Sequence, residues 1–261
     1  MFFQDQTGRN IDIRQIPTKI ISLVPSQTEL LFDLGLEEEV KGITKFCVHP
    51  EKWFRSKTRI GGTKKLDLKK IHDLQPDLII ANKEENEKEQ VEVLAKKFPV
   101  WISDVRNLNQ AMEMIVSVGL ITGKIDSAKK IASEINKNFS ELNPLNKKIK
   151  TAYLIWRDPY MTIGSDTFIH DMMLRIGLEN IFRDRSRYPV TSIEELNVLN
   201  CEFILLSSEP YPFSEKHRNE IQQILPQTKI ALVDGEMFSW YGSRLLKAPA
   251  YFQKLQKQLF P

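Results

Sequence analysis

The sequence has 261 residues, enough for one large domain or two lobes, and long enough to fold without a disulfide or metal staple. Lys and Arg number 37 against 34 Asp and Glu, and the formal charge of +3, with no long basic run, gives no argument for nucleic acid. A composition of 41% hydrophobic and 27% charged residues excludes low-complexity and collagen-like chains, and no apolar run approaches the roughly 18 residues of a membrane span.

Two cysteines, Cys47 and Cys201, lie far apart, with no CxxC and no Cys/His cluster, so no structural metal site is expected. The opening Met1-Phe2-Phe3-Gln4-Asp5 lacks the basic and apolar regions of a signal peptide. Two expectations follow: a cytoplasmic protein if Met1 is the native start, or an exported one whose leader is absent from this sequence.

In chain order, residues 18–24 read as a buried strand ending in Ile20-Ile21-Ser22-Leu23-Val24. Pro25 stops it, and Ser26-Gln27-Thr28-Glu29 has the spacing of a capping box before the Leu30, Leu31, Leu34 stripe, with Gly35 closing the helix. Further strands are expected at 40–44, 78–81 and 100–102, with helices at 67–74 and 85–97 between them. Such alternation predicts a parallel α/β layer.

Residues 107–143 break the rhythm with two helical patterns, 108–122 and 126–142. A helix of about 18 residues spans roughly 27 Å, which suits a linker. The alternation resumes after Lys150, with elements expected at 153–156, 167–176, 193–199, 203–206, 214–225 and 230–233 and a last helix from about Ser243. The expected division is therefore 1–106, an N-terminal α/β lobe; 107–143, linker helices; and 144–261, a C-terminal α/β lobe.

The two halves repeat each other. Leu68-Lys-Lys-Ile71-His-Asp-Leu74-Gln-Pro-Asp77-Leu-Ile-Ile80 matches Ile193-Glu-Glu-Leu196-Asn-Val-Leu199-Asn-Cys-Glu202-Phe-Ile-Leu205, without a gap, at an offset of 125 positions. Ser26-Gln-Thr28 and Leu34-Gly35-Leu36-Glu37 echo Ser165-Asp-Thr167 and Ile176-Gly177-Leu178-Glu179 in the same order. Two related α/β lobes, bridged by one long helix and facing each other across a ligand cleft, are expected. Ligands of such sheets sit beyond the carboxyl ends of the strands.

Catalytic signatures are near misses. Gly119-Leu-Ile-Thr-Gly123-Lys124 has three residues between its glycines where a phosphate loop has four, and Ile125 follows the Lys. Gly164-Ser165-Asp166 lacks the second Gly of a nucleophile elbow, and Ser165 reads better as a helix cap. Cys47-Val48-His49 is half a thiol–imidazole pair with no third group. No catalytic residue and no enzyme activity is expected.

The segments after the strands are aromatic: Phe46, His49, Trp53 and Phe54; Trp156, Arg157 and Tyr160; Tyr188; Glu236, Phe238, Trp240 and Tyr241, with Arg244 at the last helix. Aromatic rings carry 150–250 Å² each, so rings gathered in loops suit a large flat ligand. Arg183, Arg185 and Arg187 read mainly as a solvated run.

The stretches Lys19–Glu29, Phe46–Pro50, Ile60–Thr63 and Leu68–Ala81 resemble the substrate-binding proteins of ABC importers for cobalamin and iron chelates, the helical-backbone metal receptors, above all their cobalamin branch. Gly8–Ile13 resembles their opening hairpin, Ile121–Lys124 their linker and Gly242–Arg244 their final loop. The resemblance implies a non-enzymatic, extracytoplasmic, monomeric binder of a corrinoid or related metal chelate, with no intrinsic cofactor and an ABC permease as partner. Phe46, His49, Trp156, Arg157, Tyr160, Tyr188, Glu236, Phe238, Trp240, Tyr241 and Arg244 are the ligand residues it points to. An iron–siderophore or haem receptor, a cytosolic corrinoid carrier, and a tetrapyrrole enzyme such as a chelatase using His49 are the alternatives. Family members dock through one acid per lobe; the repeat aligns those positions as Lys69 and Glu194, so this chain departs from the pattern in its first half.

Overall fold

The computed structural model describes residues 1–259. The chain divides into two compact units. The first comprises Met1–Val105, Asn109–Asn136 and Trp240–Leu246, and the second Arg106–Leu108, Lys137–Ser239 and the chain from Lys247 onward.

The first unit opens with an antiparallel hairpin of β1 (Phe2–Gln4) and β2 (Asn10–Asp12). Arg9 fastens the hairpin by donating to the Val100 carbonyl at 2.7 Å. A parallel sheet follows, from β3 (Ile20–Ser22), β4 (Val40–Ile43), β5 (Thr58–Arg59), β6 (Leu78–Asn82) and β7 (Val100–Ser103), in the order β5-β4-β3-β6-β7. Every residue of β3 and β6 is buried, as expected of strands covered on both faces. Helices α1 (Pro25–Asp33), α2 (Glu51–Ser56), α3 (Leu68–Leu74) and α4 (Lys88–Ala95) connect the strands. One core gathers Ile21, Leu23, Ile71, Ile79, Val91 and Leu94.

Helices α5 (Leu108–Ile121) and α6 (Ile125–Ser140) come next, and the chain passes from the first unit to the second within α6. The second unit has a four-stranded parallel sheet of β8 (Ile149–Leu154), β9 (Leu178–Asn180), β10 (Phe203–Ser207) and β11 (Lys229–Val233), in the order β11-β10-β8-β9. Its helices are α7 (Phe168–Arg175), α8 (Ile193–Val198), α9 (Glu215–Ile224) and α10 (Gly235–Ser239). A 3-10 turn at Ser243–Leu246 belongs to the first unit, and α11 (Ala248–Leu259) returns to the second.

The repeat read from the sequence holds at the level of single bonds. Asp67 and Ser192, 125 positions apart, are the N-caps of α3 and α8, and each side chain accepts the backbone N–H three residues on. Gln75 and Asn200 both take the left-handed conformation that ends those helices. Asp77 accepts from the Lys19 backbone N–H at 2.8 Å, and Glu202 does the same for Lys150 at 2.9 Å. Each carboxylate thus ties the start of its strand to the neighbouring one.

Several local expectations are corrected. Ser26 does not cap α1: Pro25 opens the helix at its first turn, where a missing N–H costs nothing, and no side chain caps Val24. Glu29, expected to reach back to the cap, turns elsewhere. Ser165 is not the cap of α7 either; Thr167 is, accepting from His170 N–H at 3.3 Å. Helix α4 begins at Lys88 instead of Glu85, and β8 ends at Leu154, short of Trp156. The last helix begins at Ala248 behind the 3-10 turn. Helices α2 and α10 and strands β5 and β9 were not foreseen; all have six residues or fewer, too few for periodicity to register. The glycines of the phosphate-loop near miss serve packing. A Cβ on Gly119 would lie 2.2 Å from the Ala128 Cβ, so α5 and α6 meet closely there.

Candidate functional site

In a parallel sheet all carboxyl ends share one edge, and each unit carries its aromatic loops there. In the first unit the edge is lined by a buried polar network. Gln27 donates to the Ser103 hydroxyl, and Asn82 Nδ2 reaches Ser103 Oγ at 2.9 Å. Thr28 Oγ1 donates to Ser22 Oγ at 2.8 Å and lies 3.1 Å from Cys47 Sγ, which also contacts Thr44 Oγ1 at 3.1 Å. This network holds the loop after β4 from below. Burial pushes the Cys47 thiol up, and its side-chain partners are the hydroxyls of Thr28 and Thr44.

Above the network, Phe46 is half exposed, at 52%, and Lys45 Nζ sits 5.0 Å from its ring. The His49 ring meets Trp240 edge to face at 5.7 Å. Trp240 in turn lies under the Arg244 guanidinium, 4.9 Å from ring to Cζ, and Arg244 Nε donates to Glu29 Oε2 at 2.9 Å. Glu29 and Arg244 are both buried. A single chain of contacts therefore runs His49, Trp240, Arg244, Glu29, and ends on α1. Tyr241 is buried beside it in sequence, with 8% exposure. Trp53 and Phe54, expected with the loop aromatics, are packing residues. Trp53 is fully buried against Phe32 at 5.3 Å, and Phe54 carries the Arg59 guanidinium at 4.2 Å.

In the second unit a tight loop leaves β8. Ile155 and Trp156 bond Met161, and Tyr160 O accepts from Thr191 N–H at 2.9 Å. The Met161–Val190 bridge fastens this loop beside the segment bearing Tyr188. Trp156 is 40% exposed and meets Tyr211 edge to face at 5.7 Å. Tyr211, absent from the expected set, is set by Phe213 at 4.8 Å and by His217 Nε2 at 3.2 Å from its hydroxyl. The Pro-Tyr-Pro run after β10 was the available signal. Desolvation raises the half-buried Tyr160 phenol above its ordinary range, partly offset by Arg157.

Other expected residues are already engaged. Arg157 pairs with Glu220 at 2.8 Å, Arg183 with Glu179, and Arg185 with Glu195; Arg187 lies 6.0 Å from the Tyr188 ring. Glu236 is half-buried in the first turn of α10. Phe238 is corrected outright as a ligand contact. It has no exposed surface and packs between Tyr153, Phe252 and Tyr251, at 5.1, 4.8 and 6.4 Å. Lys69 and Glu194 are exposed in the first turns of α3 and α8. Among the described residues no cluster of three His, Cys, Asp or Glu could hold a metal ion, and no helix is long and apolar enough to cross a membrane.

Known proteins are similar to this chain in sequence and in fold. An uncharacterized ABC transporter substrate-binding lipoprotein, YvrC, of Bacillus subtilis is 24% identical over 98% of this chain and 84% of its own. The vitamin B12-binding protein of Pectobacterium atrosepticum is 24% identical over 89% of this chain and 86% of its own. The crystal structure of the periplasmic haem-binding protein HutB of Vibrio cholerae superposes with a TM-score of 0.77, at 20% identity, over 94% of this chain and 99% of that one. The model of the periplasmic binding protein family matches residues 20–230, and the chain belongs to that family.

Proposed function

We propose that the protein is the substrate-binding component of an ABC importer for a corrinoid, working outside the cytoplasm and without chemistry of its own. The observation that carries this reading is the pair of large rings left in solvent at strand-end loops, Phe46 and Trp156. Exposed aromatics held rigidly from behind are apolar surface waiting for a flat ligand. The proposed contacts are assigned within each unit separately: Phe46 and the largely buried Trp240, 6% exposed, in the first, and Trp156 and Tyr188 in the second. The B12-binding relatives favour a corrinoid. A haem or iron–siderophore ligand is the second reading, favoured by the fold shared with a haem binder.

Incubation with cyanocobalamin, cobinamide, haemin and ferric siderophores, followed by desalting and a visible spectrum, identifies the ligand. The expected result is a retained corrinoid spectrum that does not change with time. Alanine at Phe46, Trp156, Tyr188 or Trp240 is expected to cost about 1–3 kcal/mol of affinity each. Unchanged affinity in all four variants overturns the assignment of contacts. Slow conversion of a tetrapyrrole that disappears in His49→Ala would instead make the protein an enzyme.

The resemblance also bears on docking. Lys69 stands where the repeat places Glu194, so a permease with two matching basic sockets would meet a like charge at α3. Lys69→Glu is expected to tighten the complex with such a permease, and the gain is expected to shrink as salt rises. Asp67 is the competing docking acid. The Lys70 backbone N–H and then its ammonium hold the Asp67 carboxyl below its ordinary range, in keeping with a capping role. Loss of a tight complex in Asp67→Asn, with no effect of Lys69→Glu, would transfer the docking role to Asp67.

A further inference from the structure

The loop between β10 and α9 holds a hydroxyl whose proton no group of the protein takes up. Ser214 is the N-cap of α9, and His217 stands at the third helical position, where a capping box commonly places Glu or Gln. The Ser214 backbone N–H donates to His217 Nδ1 at 3.0 Å, and the Ser214 hydroxyl lies 3.1 Å from the same nitrogen. A backbone N–H can only donate, so Nδ1 is the acceptor and carries no proton. The ring proton is then on Nε2. Nε2 lies 3.2 Å from Tyr211 Oη, and its N–H donates to that oxygen. The Arg157 guanidinium, bound to Glu220 at 2.8 Å, stands beside the same phenol, and it too can only donate. The Tyr211 oxygen is thus faced by two donors, and among the described residues no acceptor takes its own hydrogen.

This phenol borders the exposed ring of its unit. Tyr211 is half-buried between the exposed Pro210 and Pro212. Its ring is held by Phe213 at 4.8 Å, His217 at 5.4 Å and Trp156 at 5.7 Å, and its backbone N–H donates to the Ile155 carbonyl at 3.3 Å. Trp156 is the ring left in solvent after β8 and a proposed contact of the second unit. All of these residues lie within Lys137–Ser239, so the arrangement belongs to the second unit alone.

We infer that Tyr211 is a further ligand-binding residue, donating its hydroxyl proton to a carbonyl or carboxylate oxygen on the rim of a chelate lying on Trp156, and that His217 is the positioning residue that fixes this donor direction. The inference rests on the reading of Trp156 as a ligand contact. A ligand oxygen beside Trp156 receives the proton that His217 and Arg157 leave free. Reversing the His217 contact turns the same proton inward and offers the ligand oxygen a lone pair instead.

Three variants separate hydrogen-bond direction from packing. Tyr211→Phe keeps the ring and removes the hydroxyl. His217→Gln keeps an acceptor for the Ser214 N–H and a donor for Tyr211. His217→Glu keeps the capping box but offers Tyr211 only an acceptor. The full chain is titrated with cyanocobalamin, cobinamide, haemin and ferrichrome, all of which carry oxygen acceptors. For a retained probe, Tyr211→Phe and His217→Glu are each expected to weaken binding about fivefold, and His217→Gln to stay within about twofold of the parent. A thermal scan is expected to place all three close to the parent; should Tyr211→Phe unfold, the two His217 variants decide by themselves. Unchanged affinity in a folded Tyr211→Phe, or no difference between the two His217 variants, overturns the inference. Trp156→Ala tells the two readings apart. A loss there with none in Tyr211→Phe removes only the role of the hydroxyl, whereas no loss in either, or no retained probe, removes the second-unit contact together with it.

Discussion

Arg244→Ala is expected to destabilise the first unit by about 3–5 kcal/mol, the cost of leaving a buried carboxylate without its counter-charge. Glu29 and Arg244 retain only 9% of their side-chain surface each, and their 2.9 Å bond joins α1 to the 3-10 turn 215 positions away. The substitution also removes the cation from the Trp240 ring. Urea unfolding followed by circular dichroism measures the loss. The Glu29→Met, Arg244→Met double variant is expected to recover most of it, because two apolar side chains of similar volume leave no charge buried alone. A single variant that unfolds within about 0.5 kcal/mol of the parent would show the pair to be dispensable.

Phe238→Ala is expected to cost the second unit about 3–5 kcal/mol. Its ring fills the space between Tyr153, Tyr251 and Phe252, and no part of it reaches solvent. Truncation leaves a cavity that these rings cannot fill without leaving their own contacts. Phe238→Leu is the informative partner. As a packing change it is expected to lower stability by about 1 kcal/mol and to leave ligand affinity within twofold. Full stability together with a tenfold loss of affinity would return Phe238 to the ligand contacts.

The architecture was legible because its signals are local and repeated. Thr151–Leu154 and Phe203–Leu206 pair in register as Ile20–Ser22 and Leu78–Ile80 do, so one helix–turn–strand unit, once recognised, described both sheets. The cap at Asp67, the acid at Asp77 and the left-handed Gln75 sit within eleven residues of one another, and each has its counterpart 125 positions on. Caps, strand runs and stops depend on neighbours within about four residues, and sequence spacing reports those neighbours directly. The misplaced caps at Ser26 and Ser165 show the limit of this logic. Several hydroxyls near a helix start fit the same pattern, and only backbone geometry selects one.

The candidate site divides along the same line. That aromatic loops follow the strands, and that Phe46, His49, Trp156, Tyr188 and Trp240 lie on them, was determined by the sequence alone, because loop position follows from element order. Which rings face solvent was decided by tertiary structure: Trp53 and Phe238 have the same chemistry as Trp156 and Phe46, yet lie fully buried. The partner of each charge was decided in the same way. Arg244 found Glu29 because the chain, after crossing the second unit, returns to the first over Trp240–Leu246. A ring's burial and a charge's pairing depend on residues tens to hundreds of positions away, and no local pattern carries that information.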